Sequence, residues 1–541
     1  MVMSSDTTEA AVKVDVDIAN NDPNNNAVQK TYTIDDVIDH AGMGRFQWFL
    51  LIATGLAWFA ESMETVLIGF VLPILSSQWD LNDNIQTPLL GSAMFSGMMI
   101  GALLWGALSD RFGRKKTMFV NVLLTCALGI TTACSPNWIF FLILRVFTGI
   151  AVAGNHIPFN LFSEFLPVHM RGSMLIASQF FWTLGCVLEA ILAWIFLPME
   201  TINFGAFRVD AWRFMMVTIS LPLLFVLAFL PFLPESPRYL LSVGKKKECE
   251  EVLRRVVRIN RQTPMEGTLT DGSTNPSNNE TKEEEHEHIS FISRVKSLFQ
   301  HGMWRITCVI LLVTYVYYFC YYGTVIMTPS YFEVKTGDES STDYLSILIT
   351  SAAELPGMIA AAFAVNWLGR RRTQTVCFLL FSAATLILIA PAPLWVRTIF
   401  AVISRACVMA GFSTLMVMVP EVFPTTVRGT GIGVCAGMGQ IAAFMTPFVA
   451  TSLFRSSEWA ALSVYGVMAF IGAGFTLLIS VETAGRRLED FVPSASGAMV
   501  TINDAPSEKM EITIPACKGE DVFNEIAGSP TSPIQGREES C

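Results

Sequence analysis

The sequence predicts an all-α integral membrane protein with twelve transmembrane helices in two pseudo-symmetric six-helix bundles. Three observations carry the prediction. Of 541 residues 52% are hydrophobic and only 15% charged, far more apolar surface than a soluble fold of this length buries. Predominantly apolar runs long enough to cross a bilayer recur along the chain in two groups of six. Short motifs then repeat at a nearly constant displacement between the groups.

The first six runs lie at roughly 46–73, 87–108, 117–135, 138–160, 173–197 and 212–233. A polar stretch from Ser242 to Met303 follows, rich in Asn, Ser, Thr and Glu and too polar to span. Six more runs come at roughly 304–332, 344–368, 374–393, 395–418, 430–454 and 459–480. The expected organisation is therefore a disordered tail (1–40), an N-terminal bundle (41–238), a central loop (239–303), a C-terminal bundle (304–487) and a second disordered tail (488–541).

The formal charge of −10 belongs to the tails. Residues 1–40 hold eight acids against two lysines, and residues 488–541 hold ten acids against three cations. The body is slightly basic, with no basic stripe of the kind nucleic acid requires, so nucleic acid is not an expected partner. The eleven cysteines include no CxxC pair, which argues against a metal site or a disulfide framework. Neither GxxxxGK[ST], HExxH nor GxSxG occurs, which disfavours an ATP-driven pump and the commoner enzyme classes; no cofactor is expected.

Cations gather after the second run (Arg111, Arg114, Lys115, Lys116), the sixth (Lys245, Lys246, Lys247), the eighth (Arg370, Arg371, Arg372) and the twelfth (Arg486, Arg487). By the bias of Lys and Arg toward the cytoplasm, both termini and the central loop are expected there.

The repeat is specific. Gly113-Arg114 recurs as Gly369-Arg370, Glu164 and Arg171 recur as Glu421 and Arg428, and Arg145 recurs as Arg405. An even number of helices per copy makes the copies parallel, related by an axis along the membrane normal.

These motifs resemble a known group. GALSDRFGRKK (Gly106 to Lys116) is similar to the loop signature of the major facilitator superfamily. PESPRYLL (Pro234 to Leu241) and VETAGRR (Val481 to Arg487) resemble signatures of its sugar and organic-ion transporter branch. GLAWFAESMETVLIGFVLP (Gly55 to Pro73), FCYYG (Phe319 to Gly323) and AELPG (Ala353 to Gly357) are closest to the synaptic vesicle 2-related protein family. The second loop copy departs from the pattern, with Asn366 in place of Asp and Ala362 in place of Gly. The resemblance implies the major facilitator fold and a gating network of Asp110, Arg111, Gly113, Arg114, Arg145, Glu164, Arg171, Glu235, Arg238, Gly369, Arg370, Arg405, Glu421, Arg428 and Glu482. Because the second copy lacks the acid, the first is expected to hold most of the gate's energy, so that Asp110→Asn alters transport more than any change at Asn366.

Four acids lie deep within apolar runs: Glu61 and Glu64 in the first, Glu189 in the fifth and Glu354 in the eighth. An ionised carboxylate facing lipid costs about 2.5–3.5 kcal/mol even on lenient scales, so these acids should face the interior. Glu61 and Glu64, three apart, should point to one side of their helix. Pro356-Gly357 is expected to interrupt the helix beside Glu354. Five tyrosines crowd the seventh run; Tyr318 and Tyr322 share a face and could contact a flat organic cargo, and Asn155, Gln179 and Trp182 add polar or aromatic groups.

The expected function is secondary active transport of a small organic solute by alternating access, coupled to protons or another ion. An organic cation or small carboxylate is favoured over sugar, because the amides sugar sites require are thin. The alternative is a transporter-like membrane receptor or regulator without transport. The chain is expected to act as a monomer in the plasma membrane or an intracellular vesicle membrane, with the lipid bilayer and the solute as partners.

Overall fold

The computed structural model describes residues 31–270, 291–299, 303–336, 343–423, 428–479, 491–493 and 499–501, apart from residues 83, 169, 200, 205, 206, 264 and 266. Twelve long helices dominate it. The first six are α1 (Arg45–Gln78), α2 (Gln86–Phe112), α3 (Arg114–Ala133), α4 (Trp138–Glu164), α5 (Arg171–Phe196) and α6 (Ala211–Phe229). The second six are α7 (Met303–Thr336), α8 (Tyr344–Ala352 and Glu354–Leu368), α9 (Arg370–Ile387), α10 (Leu394–Val422), α11 (Arg428–Ser456) and α12 (Glu458–Leu477). Eleven are long and apolar enough to cross a membrane by length and composition alone. The exception, α9, opens with Arg370, Arg371 and Arg372 and carries all its charge at that end.

Local chemistry sets several boundaries. Asn137 caps α4 by accepting a hydrogen bond from the Phe140 amide at 2.9 Å, and Asp343 does the same for α8 from Ser346 at 3.2 Å. α4 is one span in three pieces, with a 3-10 turn at Ala153–Asn155 inside it. α8 breaks at Ala353, directly before Glu354, rather than at Pro356-Gly357; Pro356 falls in the first turn of the second piece, where a missing amide hydrogen costs nothing. In α11, Pro447 withholds its amide and the next residues widen into a π-helix, Phe448–Leu453.

The two bundles meet closely toward the face that carries the antiparallel hairpin Thr201–Phe204/Phe207–Asp210, here called the hairpin face. There Arg455 donates to Ser76 at 3.0 Å and Ser92 to the Phe444 carbonyl at 2.7 Å, and Gly91 lies against Pro447. The opposite, signature face carries the Gly113 and Gly369 loops.

Residues 31–40, expected as part of a disordered tail, are structured. Thr31–Tyr32 pairs in parallel with Thr268–Leu269, and the helix Ile34–Ala41 packs on the amphipathic helix Lys246–Ile259. Thr33 and Asp36 form a reciprocal capping box, whose hydrogen bonds hold the Asp36 carboxyl below its ordinary range. Asn260 ties these pieces to α1, donating to the Ala41 and Gly42 carbonyls and accepting from the Phe46 amide. The central loop is thus partly a helical cap on the N-terminal bundle.

Candidate functional site: two buried ion pairs in the bundle interior

Two of the four deep acids are paired with buried arginines. Arg145, from α4, donates from Nη1 to Glu64 Oε2 at 3.1 Å and from Nη2 to the Glu64 carbonyl oxygen at 3.0 Å. Ser220 of α6 donates to the other carboxylate oxygen at 3.2 Å. Both charged side chains are almost completely shielded, at 0% and 1% exposure, so each charge needs an opposite charge beside it.

The second pair stands at the bundle interface. Arg405 of α10 donates from Nε to Glu354 Oε1 at 2.6 Å. Thr183 of α5, in the other bundle, donates to Glu354 Oε2 at 3.2 Å. Tyr321 of α7 donates to Oε1 at 3.3 Å while its oxygen accepts from Trp182 Nε1 at 2.6 Å. A carboxylate of one bundle is thereby read by a threonine and, through a phenol, by a tryptophan of the other. A small, largely apolar cavity touches Arg405, lined by Met327, Phe332 and Leu388 as well as Thr324, Thr328 and Ser404.

Arg145 and Arg405 therefore lie outside the loop network to which the sequence assigned them. The reason is electrostatic: each is buried, and a deep carboxylate is the partner that makes burial tolerable. Their repeat-related positions hold, but their partners do not follow the repeat, since Glu64 is on α1 and Glu354 on α8.

Glu61 and Glu64 also separate. Glu64 turns to α4 and α6, whereas Glu61 lies within electrostatic reach of Tyr318 and Tyr322 on α7, its Oε2 buried without a hydrogen-bond partner. Tyr322 sits edge-on to Phe95 with centroids 4.8 Å apart and lies 6.0 Å from Tyr318. Glu189 is fully buried with neither carboxyl oxygen partnered. Trp182 continues an aromatic row through Trp58, at 5.8 Å, to His156, at 5.7 Å. Gln179 is buried one turn before Trp182. Asn155 stands in the 3-10 turn of α4, and its side chain lies outside the described residues. Tyr317 is a packing residue, stacked on Phe378 at 3.9 Å with its hydroxyl on the Gln374 carbonyl.

At the signature face the duplication is visible in geometry. Gly113 and Gly369 both take positive φ, +94° and +83°, the region that favours glycine. A Cβ at Gly113 would stand 2.5 Å from Glu235 Oε2. Arg114 reaches Glu164 at 3.5 Å and Asp110 at 3.1 Å; the repeat-related Arg370 grips Glu421 with two bonds, at 3.1 and 3.0 Å. Ser236 donates to Glu164, Glu235 accepts from the Lys115 amide at 3.0 Å, and Tyr239 donates to the Arg111 carbonyl. These bonds join the end of each α4-type helix to its own loop, bracing each bundle separately. Arg428 donates to the Phe423 carbonyl at 3.3 Å, and Glu482 lies outside the described residues.

Asp35 was missed in the sequence. It joins Arg238 at 2.8 Å and Arg171 at 3.4 Å, gathering two of the expected network cations onto the cap. The capping-box spacing Thr33 to Asp36 was the signal that a helix begins there. Ser220 and Thr183 carried no signal, because a lone hydroxyl in an apolar run is common.

The chain matches the model of the family described as "Sugar (and other) transporter" over residues 36–493. It is 31% identical over 485 residues to the synaptic vesicle 2-related protein of Pongo abelii, covering 86% of this chain and 84% of that protein. Its identity to organic cation/carnitine transporter 7 of Arabidopsis thaliana is 29% over 503 residues, covering 86% and 98%. The fold is similar to the partially occluded inward open conformation of the xylose transporter XylE from E. coli, with a TM-score of 0.64 at 20% identity over 82% of this chain and 99% of that one. The chain belongs to the sugar (and other) transporter family, within the major facilitator superfamily, with synaptic vesicle 2-related proteins among its relatives.

Proposed function

We propose that the protein is a secondary active transporter that moves a small organic solute by alternating access, coupled to protons or another ion. The observation that carries the reading is the Glu354 carboxylate, paired with Arg405 in one bundle and bonded by Thr183 in the other. A charge pair bonded from across the interface senses any rocking of the bundles, and protonation or cargo at such a pair biases which arrangement is preferred. The second pair, Glu64 and Arg145, and the unpartnered Glu61 and Glu189 supply further titratable groups in the same interior.

Four acids against two arginines give this interior an excess of carboxyls, which favours an organic cation; Arg145 and Arg405 keep a small carboxylate in play. Tyr318 and Tyr322 beside Glu61 suit an alkylated cation, whose charge is attracted by ring faces. The likeness to an organic cation/carnitine transporter supports the same class. Asp110, Arg114, Glu164, Glu235, Arg370 and Glu421 brace the loops through which each bundle moves as a body. The signature face is the cytoplasmic one by the distribution of cations, and a monomer suffices for the cycle.

The test is a solute screen in vesicles reconstituted with the purified protein at two pH values. Accumulation of one organic cation or carboxylate, altered by the pH gradient, supports the reading. No accumulation from a broad panel supports the receptor or regulator reading instead.

A further inference from the structure

We propose that Glu189 is a proton-binding site that shares a single guanidinium, Arg145, with Glu64. The inference rests on the transport reading only for the use made of the proton.

Glu189 sits on α5, fully buried, with both oxygens free of hydrogen-bond partners. The charged groups within electrostatic reach of it on neighbouring helices are Glu64 of α1, Arg145 of α4 and Arg405 of α10; on its own helix Cys186 is in reach as well. An ionised carboxylate left without a donor in such surroundings is strongly disfavoured, so the carboxyl keeps its proton in this conformation. Both cations are already engaged, Arg405 with Glu354 and Arg145 with Glu64. Yet Arg145 retains one unspent donor, since its Nε is buried without a partner.

Two carboxyls thus compete for one guanidinium, and only one of them can be ionised at a time. In the present arrangement Glu64 is the carboxylate and Glu189 the acid. In the exchanged arrangement Arg145 pairs with Glu189, which gives up one proton to water, while Glu64 takes up one proton from water. One O–H bond breaks and one forms, the charge of the interior is unchanged, and Glu354, Arg405 and Glu61 keep their states. If release and uptake occur from opposite faces, one proton crosses per exchange.

The test needs no cargo. Infrared spectra of the purified full chain in phosphatidylcholine vesicles at neutral pH report un-ionised carboxyls through their carbonyl stretch. Glu189→Gln is expected to remove one carboxyl's share of that band, with an unchanged or raised Tm, because an unpartnered acid has been replaced by a neutral group. Glu64→Gln is expected to remove the same share, since Arg145 then turns to Glu189 and ionises it. A band unchanged in Glu189→Gln overturns the proton site, and one unchanged in Glu64→Gln overturns the sharing. Should Glu189→Gln not fold, Glu189→Met provides the same reading. The band is measurable in a protein that moves no solute, so failure of the transport reading leaves it standing.

Discussion

Arg145 and Glu64 are joined by a guanidinium that binds both the carboxylate, at 3.1 Å, and the carbonyl oxygen of the same residue, at 3.0 Å, with neither side chain open to solvent. Removing the arginine strands the carboxylate. Arg145→Gln alone should destabilise the protein by roughly 3–5 kcal/mol, whereas Glu64→Gln with Arg145→Gln should recover much of the loss. Thermal unfolding in detergent checks this; a double variant no more stable than the single one contradicts it.

Tyr321 is the hydroxyl that relays Trp182 to Glu354 across the bundles. Tyr321→Phe keeps the ring stacked near Phe412 but leaves the tryptophan N–H unpaired, a loss of about 1–3 kcal/mol. Tyr317→Phe removes only a hydroxyl on the Gln374 carbonyl within one bundle. The first should change the rate of solute exchange in vesicles and the second should not. Equal effects would deny the relay.

Gly69 faces the backbone of the other bundle, where an added Cβ would lie 3.2 Å from the Val325 carbonyl oxygen and 3.3 Å from Ile326 Cα. Backbone yields less readily than a flexible side chain, so Gly69→Val should push the bundles apart on the hairpin side. A cysteine placed at Ser76 should then react faster with a membrane-impermeant maleimide than in the unsubstituted background. No change in labelling would show that this contact does not close the interface.

At the signature face the two copies brace their bundles with comparable pairs, which revises the expectation of an uneven gate. Asp110 is 74% exposed, and a pair that open contributes roughly 0–1 kcal/mol. Glu164 and Glu421 are far more shielded, at 11% and 22%. Glu164→Gln and Glu421→Gln should each lower Tm more than Asp110→Asn, and the reverse order would restore the Asp110-centred account.

The duplication was legible because Gly113-Arg114 and Gly369-Arg370 stand at fixed positions, and the glycines need positive φ whatever surrounds them. The helices were legible because hydrocarbon demands long apolar runs, and even α9 could be found despite its three arginines. The pairing of the acids was not legible. Spacing says that Glu61 and Glu64 lie on nearby faces of α1, yet which neighbour each meets depends on how α4, α6 and α7 pack against it. Arg145 looked like part of a latch because it repeats, and only its depth beside Glu64 reveals its partner. The cap was missed because polar composition around Asp35 outweighed one capping box.

The most direct measurement is uptake of tetraethylammonium and of carnitine by reconstituted vesicles, with and without an imposed pH gradient, for the unsubstituted protein and Glu64→Gln. A proton-coupled carrier should accumulate at least one of these with the gradient, and Glu64→Gln, inserted in equal amount, should lose the pH dependence. Gradient-driven uptake that is the same in both proteins would contradict the role given to the Glu64–Arg145 pair.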